Sequence, residues 1–106
     1  MLNKENKELC WQVLSKYGIE NQQRMVIEEC AELQKAVCKL FRDKEKKQGK
    51  YQLNYIEEIV DVIVMCEQML LAENISTELL NNMAKIKLER ALNHDRRKRN
   101  TDFNGF

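Results

Sequence analysis

The chain has 106 residues, 33% of them charged, yet the charges nearly cancel to a formal net charge of +1. That length suits a single domain, and the balance gives no general electrostatic reason to bind nucleic acid or an acidic membrane. No apolar run reaches membrane-spanning length and the opening MLNKENKELC is too polar for a signal peptide, so a cytoplasmic protein is expected.

There is no proline, and the three glycines, Gly18, Gly49 and Gly105, punctuate the chain. A first helix is predicted from about Asn3 to Tyr17, with Leu9, Val13, Leu14 and Tyr17 at helical spacing and Gly18 as its C-terminal cap. A second is predicted from Asn21, a good N-cap, to about Lys47. Its stripe of Val26, Cys30, Leu33, Val37 and Leu40 faces one side. The polar RDKEKKQGK then reads as an exposed helix end and a turn. The third helix, from about Leu53 to Glu73, repeats the rhythm in Ile56, Val60, Ile63 and Leu70. Asn74 or Ser76 opens a fourth, carrying Leu79, Leu80, Met83 and Ile86. No segment alternates with period two for long enough to build a sheet. The expected fold is an all-α, four-helix bundle over residues 1–96, followed by a basic, flexible tail over 97–106. Cys10, Cys30, Cys38 and Cys66 form no C-x-x-C pair and sit inside helical patterns. They read as reduced core or near-core thiols, neither zinc ligands nor disulfides.

The stretch EEIVDVIVMC, residues 57–66, sets one acid, Asp61, among apolar neighbours, so Asp61 is expected to be shielded and compensated. Glu29 and Glu32 are three apart, as are Glu58 and Asp61, and residues at that spacing share a helix face. Met25, Glu29, Glu32 and Ala36 form a row beside the second helix's apolar stripe. Asn54, Glu58, Asp61 and Met65 form the matching row on the third. When the stripes pack, the four carboxylates should converge at the core's edge, with Glu28 and Glu57 rotated about 100° further round. Any single acid here could instead be solvated and paired with Lys35, Lys39 or Lys85. Four carboxylates at close range need protons or cations between them, and all-oxygen ligands without histidine or cysteine suit Mg²⁺.

Glu28-Glu29-Cys30-Ala31-Glu32, a gap, then Glu58-Ile59-Val60-Asp61 resembles the E-E-x-x-E…E-x-x-D signature of the MazG-like all-α nucleoside triphosphate pyrophosphatases. The resemblance covers about residues 20 to 95 and includes KLER, Lys87 to Arg90, on the fourth helix. It implies a helical homodimer or homotetramer that uses Mg²⁺, with Mn²⁺ as a substitute, to split a nucleoside triphosphate into monophosphate and pyrophosphate. Glu29, Glu32, Glu58 and Asp61 would be the metal ligands. Attack would fall on the α-phosphorus, by a water that one of the glutamates deprotonates, Glu32 preferred and Glu29 beside it. Lys87 and Arg90, with Lys85 in reserve, would clamp the phosphate tail; an exposed basic face is an equal reading of the same residues. A third helix apolar on two sides also favours an assembly, whose interface would use part of Ile59, Val62, Ile63 and Met65.

Glycine-loop phosphate binding is excluded, because neither G-x-x-x-x-G-K-[ST] nor G-x-G-x-x-G occurs. Trp11 and Tyr17 could stack on a base, although Trp11 on an apolar helix face reads first as core. His94 reads as a surface residue, and RRKR as a solvated run sooner than a nucleic-acid contact. Two other functions fit the same residues. One is the phosphoribosyl-ATP pyrophosphohydrolase of histidine biosynthesis, and the other is a non-catalytic helical oligomer binding a protein or nucleic-acid partner.

Overall fold

Local chemistry starts and stops the first helix and starts the last. The computed structural model describes residues 1–43 and 49–94. Asn3 is extended, and its side chain accepts a hydrogen bond from the Asn6 N–H at 2.8 Å, which starts α1 (Lys4–Tyr17). Glu5 in the first turn and Lys16 in the last complement the helix dipole. Gly18 stops it, donating its N–H to Leu14 O at 2.8 Å with φ 89 and ψ 153, a backbone region that is essentially restricted to glycine.

Because Gly18 turns the chain so sharply, α2 (Ile19–Asp43) begins at the next residue, before the Asn21 start that the sequence suggests. The Gln22 N–H closes its first turn onto Gly18 O at 3.1 Å. Asn21 serves the preceding helix instead: its Nδ2 donates to Tyr17 O at 2.9 Å, satisfying a terminal carbonyl of α1. The expected extension of α2 to Lys47 lies outside the described residues. Helix α3 (Gly49–Ala72) begins earlier than the predicted Leu53, since no breaker stands between Gly49 and Leu53. Asn74 then takes a left-handed turn at φ 57, which asparagine tolerates better than most residues. Ser76, the second of the two candidates, is the N-cap of α4 (Thr77–Leu92), accepting from the Leu79 N–H at 3.0 Å. Among the described residues all regular structure is helical, as expected, and no helix is long and apolar enough to cross a membrane. The tail over 97–106 lies outside the described residues.

The chain forms two compact units, Met1–Asn74 and Ile75–Phe106. In the first, α2 and α3 pack most extensively against each other and α1 lies against both. Its core holds Cys10 and Leu14 from α1, Ala36 from α2 and Met65 from α3, together with buried Gln22, Glu67 and Gln68. On α3, Met65, Glu67 and Gln68 are buried; of the predicted stripe, Ile63 and Leu70 are half-buried, whereas Ile56 and Val60 are exposed. Met65, expected to serve an interface between copies, is used inside the protomer. Trp11, read as core, is 49% exposed. The four cysteines are free as expected; Cys10 is buried, but Cys38 and Cys66 are exposed, so the near-core reading fails for those two. In the second unit, α4 has no buried residue.

Candidate metal centre

A turn of α2 and a turn of α3 bring three of the four predicted carboxylates together. One carboxylate oxygen each from Glu29, Glu58 and Asp61 lie within 4.8 Å of one another. Glu29 and Glu58 are half-buried in the packed seam. Asp61 is exposed, which corrects the expectation of a shielded Asp61. Its flanking Val60 is itself 49% exposed and Val62 only half-buried, so the apolar neighbours in sequence do not shield it.

Glu32 stands outside the trio. Glu32 lies close to one turn beyond Glu29 on α2 and is exposed to solvent. There its Oε2 is 3.8 Å from Lys35 Nζ, an exposed pair of small energetic weight. Its charge is still felt, as one of the causes that raise Glu29 and Glu58.

The trio is short of positive charge. Burial pushes the Glu29 carboxyl above its ordinary value, and the charges of Asp61, Glu28 and Glu32 add to the rise. Burial also raises Glu58, followed by the charge of Asp61, a hydrogen bond with Asp61, and the charges of Glu32 and Glu29. Among the described residues no ion pair involves any member of the trio. A cation among the three carboxylates would relieve the repulsion. The donors are all carboxylate oxygens on two packed helices, with no histidine or thiol among them, and that set fits a hard divalent ion.

The predicted cations occupy α4. Lys87, Arg90, Ala91 and His94 line one hollow of about 320 Å³, and Lys85 is exposed and not part of its wall. His94, read from sequence as a surface residue, is half-buried there. Its spacing from Lys87 and Arg90, seven and four residues, is the signal that places it on their face.

Three buried polar residues escaped the sequence reading. Gln22 Nε2 donates to Gln68 Oε1 at 2.8 Å between α2 and α3, and Gln68 Nε2 points to Met65 Sδ at 3.8 Å. Glu67 accepts from the Leu2 N–H at 2.9 Å. The first two were findable: Gln22 lies four residues before Val26 on the α2 stripe, and Gln68 three after Met65 on the α3 row.

No protein-family model, curated protein or solved structure matches this chain. The functional reading accordingly rests on the residues and their placement.

Proposed function

We propose that the protein is a Mg²⁺-dependent nucleoside triphosphate pyrophosphohydrolase that releases a nucleoside monophosphate and pyrophosphate. The observation that carries this reading is the trio of Glu29, Glu58 and Asp61, drawn from two helices, within 4.8 Å and, among the described residues, in no ion pair. The E-E-x-x-E…E-x-x-D resemblance suggests the reaction class, and the trio is an all-carboxylate donor set of the kind that suits a hard divalent ion. In this reading Glu29, Glu58 and Asp61 hold Mg²⁺, with Mn²⁺ as a substitute. A divalent ion there would offset the repulsion between this acidic surface and a polyphosphate and would polarise the phosphate oxygens.

The chain's own groups take the remaining roles. Glu32, outside the trio and exposed beside Lys35, accepts the proton of the attacking water. Glu29, half-buried and raised in pKa, keeps that water near the ligands and is the second choice as base. Lys87 and Arg90 bind phosphate oxygens, and Arg90 can do so with two N–H groups at once. A larger assembly of identical chains, using the half-buried Ile59, Val62 and Ile63 of α3, belongs to the same proposal.

Incubation with a panel of nucleoside triphosphates, scored for pyrophosphate with Mg²⁺ and with EDTA, tests it. Cation-dependent pyrophosphate release that Asp61→Asn lowers by several orders of magnitude is expected. Turnover of phosphoribosyl-ATP alone would move the protein to the histidine-biosynthesis reaction. Absence of turnover on every substrate would favour a non-catalytic helical oligomer.

A further inference from the structure

A groove of about 340 Å³ lies between α1 and α3. Leu9, Val13, Val60 and Val64 give it apolar walls, with the Cys10 thiol among them. Leu2, two residues ahead of α1, adds to the wall at the end where that helix begins.

Two anchors hold the residues before α1 in place. On one side Asn3 is tied to the helix: its side chain accepts from the Asn6 N–H at 2.8 Å and its carbonyl from the Lys7 N–H at 2.9 Å. On the other, the Leu2 N–H donates to Glu67 Oε1 on α3 at 2.9 Å, and the Met1 ammonium stands 3.8 Å from the same oxygen. Glu67 is only 4% exposed, and a buried carboxylate is costly without a partner. Among the described residues its hydrogen bond and its ion pair both come from Met1 and Leu2. The segment itself buries little, because Met1 is 55% exposed and Leu2 only half-buried. A stretch with so little packing, held by one carboxylate, can open without wider unfolding, since entering water takes over the hydrogen bonds of Glu67.

Cys10 sits beside this latch. It is 4% exposed, and its Sγ donates to Val64 O at 3.9 Å. Burial pushes the thiol above its ordinary value, and the charge of Glu67 adds to the rise.

We propose that Met1–Asn3 form a strap that Glu67 latches onto α3, and that local opening of the strap controls access to Cys10 and the apolar groove. The strap is independent of the pyrophosphohydrolase reading.

Alkylation of Cys10 by N-ethylmaleimide tests it, in the full chain with Cys30, Cys38 and Cys66 replaced by serine. The rate should be nearly constant in urea below the unfolding transition, because a local opening exposes little surface. Leu2→Ala shortens the strap's side chain and keeps the Glu67 charge. Glu67→Leu removes the latch without stranding a buried charge. Each should raise the rate roughly tenfold or more, with a melting temperature close to that of the parent. Glu67→Leu also relieves the charge that raises the thiol, whereas Leu2→Ala does not, so acceleration in both variants identifies access as the cause. No acceleration in Leu2→Ala would overturn the strap, whatever Glu67→Leu does. So would a parent rate that climbs with urea as steeply as global unfolding, or an acceleration matched by an equal loss of global stability.

Discussion

Replacing Glu29 with glutamine should make the metal-free protein more stable and the metal-loaded protein less so. At the 4.8 Å limit of the trio, two unit charges repel by about 1 kcal/mol in water and by about 3.5 kcal/mol at an effective dielectric near 20. Asp61 is exposed, so the lower figure applies to the Glu29–Asp61 pair, and Glu29→Gln should return about 1 kcal/mol in EDTA. For a chain of this size that is a rise in Tm of roughly 4–8 °C. With Mg²⁺ at a hundred times its Kd, the wild type should gain about 2.7 kcal/mol through binding to the native state. The variant, lacking one ligand, should gain much less, and the order of stability should cross. Thermal melts of both proteins across a Mg²⁺ titration, read by circular dichroism, measure this directly. A variant less stable than the wild type in EDTA, or the same Mg²⁺ gain in both, would refute the reasoning.

Raised carboxyls give the metal-free protein a definite pH response. Glu29 and Glu58 have folded-state values above the ordinary 4.5, so the native state holds their protons more tightly than the unfolded chain. Their stabilising contribution is fully present below 4.5 and is lost as pH rises through the folded values; melts in EDTA should fall across that window, and saturating Mg²⁺ should flatten the fall. Gly18→Ala should cost about 1–3 kcal/mol, seen as a lower urea midpoint, because its backbone conformation is essentially restricted to glycine. A Cβ there meets nothing within 4 Å, so an unchanged midpoint would mean that the turn itself relaxes. Glu32→Gln should keep most of the Mg²⁺-induced rise in Tm while lowering kcat by at least a hundredfold, since Glu32 stands outside the trio. Loss of both together would make Glu32 a ligand.

The helices were legible because their signals are local. Asn3, Gly18 and Ser76 act through their own caps, and the apolar spacing needs no partner. The site was legible as far as helix periodicity reaches, which brought Glu29, Glu58 and Asp61 to one seam. Periodicity does not fix how far a helix rolls against its neighbour. A modest rotation about its axis is enough to leave Ile56 and Val60 outside and draw Gln68 inside, and Glu32 is exposed although Glu29, three residues earlier, is half-buried. Asp61 misled for a related reason: apolar neighbours in sequence protect a carboxylate only if something covers them in space. Asn21, expected to cap the start of α2, instead donates to the end of α1, because the sharp turn at Gly18 lets α2 begin at Ile19.

Hydrolysis in ¹⁸O-labelled water tests the central claim most directly, because it asks whether there is turnover and which phosphorus is attacked. With Mg²⁺ and a nucleoside triphosphate, the label should appear in the nucleoside monophosphate, with unlabelled pyrophosphate released in equal amount. Label in pyrophosphate would move the attack to the β-phosphorus, and the absence of any labelled product would contradict the enzymatic account altogether.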